Sequence, residues 1–258
     1  MRDPRRRFAG LPITGDRVAS YSLPAMGARL SLIARSALGL VLLASALTGC
    51  GGSSPKGAIA SKSPAEIVAA ARAAAGEAAS VHVSGAVIEG VPLSLDMQLL
   101  AGKGGHGRIA ENGLSFELIT LGGTVYIKGS SAFYRHIGGP AAAQLLQGKW
   151  LKAPAAAGEF APIRSLTDLR KLLDTTLASH GPLAMGASTT VNGQKVVAVK
   201  DLSKGGVLFV AATGKSYPVE VARGGKNGGH IVFDRWNEAV TISPPLNAIN
   251  LNQLRAGH

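Results

Sequence analysis

The chain has 258 residues, a formal net charge of +12, 46% hydrophobic residues, only 5% aromatic ones and a single cysteine. One cysteine excludes an internal disulfide, so stability must come from packing. The basic residues are scattered, with no aromatic interleaving and no basic helix, which argues against nucleic acid as a partner.

Residues 26–50 organise the N-terminal part. Arg29 and Arg35 form a short basic segment, and Ala37 to Leu47 is a charge-free apolar run too short to span a bilayer comfortably. The run ends in Leu47-Thr48-Gly49-Cys50, which resembles a bacterial lipobox. The resemblance implies cleavage before Cys50 and a thiol that carries a diacylglyceryl group with palmitate-type chains. Residues 1–49 are then a signal peptide. Arg5-Arg6-Arg7-Phe8 resembles a twin-arginine signal, but the apolar run begins far downstream, so Met26 is the expected start and residues 1–25 an upstream mis-start. Without residues 1–49 there remain 20 basic and 13 acidic residues, a charge of +7, which suits mild attraction to anionic head groups. The 209 residues from Cys50 onward suffice for one domain with a sizeable core.

Residues 50–62 read as a lipidated, Gly/Ser-rich tether, and residues 63–258 as a single domain. Ser63-Pro64-Ala65-Glu66 has the features of a capped helix start, and the helix is expected to run to about Ala79. Period-two alternation follows in Val81, Val83 and Val87, then in Val91, Leu93, Leu95, Met97 and Leu99, as expected of half-buried strands. Gly-rich 102–107 reads as a turn, Arg108 to Glu111 as a short strand, and Asn112-Gly113 as a hairpin turn. Leu114, Phe116 and Leu118 alternate again, and Gly122-Gly123 leads into Thr124 to Lys128. A helical block covers Ser130 to Gln147, broken at Gly138-Gly139-Pro140, and 148–152 is a short extended piece. Ser165 to Asp168 reads as a capping box opening one helix over 165–178, with Leu166, Leu169, Leu172, Leu173 and Leu177 on one stripe. The last third reads as strand throughout: 187–191, 195–200, 207–212, 217–222, 231–236 and 240–242. About ten strands without alternating helices imply an antiparallel sheet in an α+β fold.

Sites for chemistry are scarce. Gly102-x-Gly104-x-x-Gly107 matches a dinucleotide fingerprint in letters, but no helix opens after it. The histidines at 82, 106, 136, 180, 230 and 258 lack metal-ligand spacing and read as surface or loop residues. There is no Gly-x-Ser-x-Gly elbow and no recognisable carboxylate pair. No catalytic residue, metal or cofactor is expected, and the chain reads as a non-enzyme. The apolar stripes most simply form a packed core. With so few aromatic residues and much Ala and Gly, small side chains over a wide curved sheet also leave room for an apolar cavity.

Several segments point to a family. Val125-Tyr126-Ile127-Lys128-Gly129, Gly148-Lys149-Trp150-Leu151 and Phe233-Asp234-Arg235-Trp236-Asn237-Glu238 resemble recurring segments of the LppX/LprA/LprF/LprG group of actinobacterial lipoproteins. So does the order of lipobox, helix, meander, central helical pair and second meander. The resemblance covers roughly residues 63–254. It implies an open, strongly curved antiparallel β half-barrel with helices over its concave face, similar to the carriers LolA and LolB. It also implies binding of an acylated lipid or glycolipid between sheet and helices, and it carries no catalytic residues.

The expectation is a monomeric lipoprotein on the extracytoplasmic face of the cell membrane that carries lipid across the envelope. The expected lipid-contacting residues are Leu93, Leu95, Met97, Leu99, Phe116, Leu118, Leu169, Leu172, Leu173 and Leu177, with lipidation at Cys50. The alternative is a non-catalytic interaction or sensor module with a filled core that binds an envelope protein.

Overall fold

The computed structural model of the chain describes residues 59–256, apart from residues 90, 157–159, 179 and 227. The signal segment, Cys50 and most of the expected tether therefore lie outside the described residues. The first described element is helix α1 (Pro64–Gly76), which stops three residues short of the expected end. Its capping box forms: Glu66 Oε2 accepts the Ser63 N–H at 2.8 Å, and Ser63 Oγ accepts the Glu66 N–H at 3.4 Å. The hydrogen bond from Ser63 holds the exposed Glu66 carboxyl below its usual range.

The first meander comprises β1 (Ser80–Glu89), β2 (Val91–Leu100), β3 (Gly104–Glu111), β4 (Leu114–Leu121), β5 (Thr124–Gly129) and β6 (Leu151–Pro154), with helix α2 (Ser131–Leu146) between β5 and β6. Helices α3 (Ala161–Thr167) and α4 (Leu169–Ala178) follow. The second half adds β7 (Leu183–Met185), β8 (Thr189–Val191), β9 (Gln194–Asp201), β10 (Gly206–Ala211), β11 (Pro218–Arg223), β12 (Gly229–Asp234), β13 (Ile249–Asn250) and α5 (Leu251–Ala256). All thirteen strands belong to one sheet in the order β13-β6-β5-β4-β3-β2-β1-β12-β11-β10-β9-β7, with β8 on β9. The sheet does not close, and its only parallel pair among the described residues is the short β13–β6 contact. This is the expected curved, open, antiparallel α+β half-barrel. The two meanders join where β1 pairs with β12.

Several local expectations are corrected. The glycine-rich stretch is not all turn: only 101–103 turn, and Gly104 already pairs with Leu100 in β3. A Cβ at Gly105 would stand 2.6 Å from Leu99 Cδ2, and one at Gly107 would stand 2.7 Å from Met97 Cα. Leu99 and Met97 thus occupy the space that side chains at 105 and 107 would need, which is why glycine stands at those two positions. The single helix expected over 165–178 is two. Ser165 lies inside α3, and the backbone turns extended at Asp168 (φ −87, ψ 102). Asp168 then caps α4, its carboxylate accepting the Lys171 N–H at 3.2 Å. Residues 240–242 form no strand. Helix α2 kinks as expected, with Gly139 in a left-handed conformation (φ 78) ahead of Pro140.

The two ends of the sheet differ. At one, here called the base, lie the turns 101–103, Gly122-Gly123, Asn192-Gly193 and 213–215. At the other, the rim, lie the β1–β2 connection, Asn112-Gly113, 202–205 and 224–228. Helix α1 runs toward the base, since it leads into β1 there and Glu77 pairs with Lys215 at 3.4 Å. Its N-terminus, with Ile59, therefore sits toward the rim. There Ile59 and Ile67 pack in a cluster with Leu177, Val197, Val199 and Val210.

Candidate functional site

The main core lies between the helix-bearing face of the sheet and the α3–α4 pair. Val81 and Val83 of β1 face Leu99 and Met97 of β2 in register, with Ile109 of β3, Leu118 of β4 and Phe233 of β12 beside them. Leu169 and Leu173 of α4 close this core from above. Within it is a narrow apolar cleft of about 70 Å³ lined by residues that include Leu95, Met97, Leu99, Leu166, Leu172 and Phe233. Thr176 is its one polar wall residue, and its hydroxyl already donates to the Leu172 carbonyl at 2.8 Å, leaving no unmet polar group from that side chain.

Of the residues expected to contact lipid, Leu95, Met97, Leu99 and Leu172 line this cleft. Leu118, Leu169 and Leu173 are core around it, and Leu93 and Phe116 pack against that core half-buried. Leu177 belongs to the separate cluster under α1. Sequence reading missed Val83, Ile109, Leu166, Thr176, Ile231 and Phe233 as wall residues, although Leu166 stood on the expected helical stripe. The alternation of Val81 with Val83 and of Ile231 with Phe233 carried the signal for three of them. Thr176, four residues after Leu172, was passed over because it is polar.

A stripe of increasing exposure leaves the cleft. Along β2 the side chains on this face go from Leu99 (0% exposed) through Met97 (4%) to half-buried Leu95 and Leu93, and end at Val91 (39%). The apolar face is thus sealed at the base and opens toward the rim. A wider hollow of about 550 Å³ lies at the base, but Asp168, Arg170, Lys171 and Asp174 line it, and an acyl chain would gain nothing there.

The histidines need correction. His82 is buried within β1 rather than in a loop, its Nδ1 2.6 Å from Asp234 Oδ1 and its Nε2 3.0 Å from Asp96 Oδ1. Both ring nitrogens are taken by carboxylates on the flanking strands, so the ring cross-links β2, β1 and β12. His106 and His230 also sit in strands. Among the described residues, no group of His, Cys, Asp and Glu side chains could hold a metal ion. The segment Phe233 to Asn237 is structural in several ways at once: Phe233 walls the cleft, and Trp236 stacks on Tyr217 with ring centroids 4.5 Å apart. Asn237 accepts the Ala79 N–H and donates to the Tyr217 hydroxyl, each at 2.7 Å.

Comparison with solved structures finds the same arrangement. LprF from Mycobacterium bovis superposes with a TM-score of 0.51 at 17% identity, over 70% of this chain and 96% of that one. The chain shares the LprF fold. The lipoprotein LppX from Mycobacterium tuberculosis also matches, with a TM-score of 0.45 and 15% identity over 70% of this chain and 98% of its own. No family model matches the sequence, and no curated protein matches it. Among the described residues, no helix is long and apolar enough to cross a membrane.

Proposed function

We propose that this LprF-like chain is a non-catalytic cell-envelope lipoprotein, anchored through Cys50, that takes acyl chains of a lipid between its sheet and α4. The observation that supports this reading most is the apolar stripe from Leu99 to Val91, buried at one end and open at the other. A protein core alone does not need a graded apolar lane to solvent. Acyl chains would bind by burial, at about 0.8 kcal/mol per methylene.

The cleft as it stands is smaller than the roughly 150 Å³ that admits a benzene molecule. Uptake therefore requires α4 to lift from β1 and β2. The break at Asp168 separates α4 from α3, and a solvent-exposed pair, Arg72 Nη2 to Asp174 Oδ1 at 3.1 Å, ties α4 to α1. Exposed pairs of this kind contribute about 0–1 kcal/mol, so little polar binding opposes the motion. The same small volume favours a second reading, a filled half-barrel that binds an envelope protein.

Mass spectrometry of an organic-solvent extract separates the two. The carrier reading expects the chain, purified from its native membrane, to yield one lipid per protein beyond the acyl groups on Cys50. Cys50→Ser should release the chain from membranes while leaving that lipid in place. A chain that never yields extractable lipid would leave the filled module.

A further inference from the structure

The large apolar side chains exposed to solvent are not spread over the surface. Among the described residues they are Ile88, Val91, Ile137, Leu145, Leu202 and Leu246, plus Met185, the last residue of β7. Ile88 and Val91 flank the β1–β2 connection at the rim, and Leu202 is in the rim turn between β9 and β10. Ile137 and Leu145 are on α2, which lies between the rim end of β5 and the rim end of β6. Its cap residue Ser130 donates its N–H to the Ser115 carbonyl at 2.8 Å, and Tyr134 donates its hydroxyl to the Lys149 carbonyl at 3.0 Å, just before β6 begins. Leu246 precedes β13, which runs parallel to β6 from the same end. The turns at the base carry none: they are Gly102, Gly122-Gly123, Asn192-Gly193 and Thr213-Gly214-Lys215.

Two further facts converge on the rim. The apolar lane of β2 opens there, ending at Val91. The N-terminus of α1, with Ile59, also lies toward the rim, and only eight residues separate Ile59 from Cys50. A chain of that length reaches at most about 30 Å.

We infer that the rim is a membrane-docking face: Ile88, Val91, Ile137, Leu145, Leu202 and Leu246 seat on the bilayer and hold the mouth of the cleft against the lipids. The inference rests on the proposed anchor at Cys50, which would keep this end within reach of the membrane. Isolated aliphatic side chains on separate turns enter the interface by apolar burial. At the rim turns the sequence sets Lys204, Arg223 and Lys226 against Glu89, Glu111 and Asp201, so the contact is not carried by net charge and should persist at high salt.

The test uses the mature chain in vesicles of phosphatidylcholine and phosphatidylglycerol that contain a shallow spin-labelled lipid. An environment-sensitive dye is attached at Ile88→Cys, at Leu202→Cys as an independent rim site, and at Thr213→Cys on the base. The parent chain, whose one thiol is consumed if Cys50 is acylated, takes up no dye. The expected result is several-fold stronger quenching at 88 and 202 than at 213, unchanged by salt. Equal quenching at all three sites, none at any, or quenching at 213 alone would overturn the docking face while leaving the anchor intact. Dye uptake by the parent chain would overturn the anchor and, with it, the orientation drawn from it. A blue shift at 88 that grows with protein concentration in the absence of vesicles would assign the face to a second copy instead.

Discussion

Asp201 shows how a single carboxylate shapes the rim. Its Oδ1 accepts the Lys204 N–H at 3.0 Å, the Ser203 hydroxyl at 2.8 Å and the Ser203 N–H at 2.9 Å, and its Oδ2 accepts the Gly181 N–H at 3.2 Å. These hydrogen bonds, the Lys204 N–H foremost, hold its carboxyl well below the usual carboxylate range. The turn that presents Leu202 is thereby fixed, and the end of α4 is tied to it through Gly181. A carboxyl whose folded-state pKa is depressed stabilises the fold above its unfolded pKa, near 4, and loses that contribution as pH falls toward the folded value. Asp201→Asn should therefore lower the thermal midpoint at pH 7, and the gap to the parent should close as the pH is lowered below about 4. A gap that is constant with pH would place the effect in packing rather than charge. At this scale the sequence was opaque, because Asp201 reads simply as a polar residue after a strand. The clamp on His82 was equally hidden. It is made by Asp96 and Asp234, 14 and 152 positions away, and only the register of β1 with β2 and β12 brings them together.

The elements were legible wherever their signal is local. Alternation placed β1, β2 and β4, and Asn112-Gly113 and Asn192-Gly193 marked the β3–β4 and β8–β9 hairpins with both Asn residues at positive φ. The elements that were misread depend on partners distant in sequence. Gly105 and Gly107 fit within β3 because Leu99 and Met97 from β2 occupy the space their side chains would need, and Gly104 lies against the Thr120 carbonyl of β4. Ser165 and Asp168 both resemble caps, and only the extended backbone at Asp168 decides between them. That cap bears on function, because α4 is the element that must lift. Asp168→Ala removes the acceptor for the Lys171 N–H and should cost about 1 kcal/mol. Thermal unfolding should show a midpoint lower by a few degrees, and stopped-flow mixing with a fluorescent fatty acid should show faster uptake. Slower uptake, or none, in a variant that still folds would contradict a lifting α4.

On the scale of the whole molecule, the half-barrel could be read from the order of its elements, and the LprF fold bears that out. Two properties could not be read from it. The distribution of apolar side chains between rim and base depends on which turns share an end of the sheet, a matter of topology. The size of the cleft depends on how Met97, Leu99, Leu166 and Leu172 fill the space between two layers, which no single stripe records. Met97 sits at the centre of that question, with one face toward β3 and the cleft along its side chain. In a core that is simply filled, Met97→Trp should strain the packing by about 1–3 kcal/mol. In a cleft that opens beneath α4, the indole should occupy the space an acyl chain would take. The most direct measurement is a titration of the delipidated chain and of Met97→Trp with a fluorescent fatty acid, paired with chemical denaturation of both. The expected result is saturable one-to-one binding by the parent, lost in Met97→Trp, with little change in the denaturation midpoint. A parent that never saturates, beside a clearly destabilised Met97→Trp, would contradict the carrier and leave the filled module.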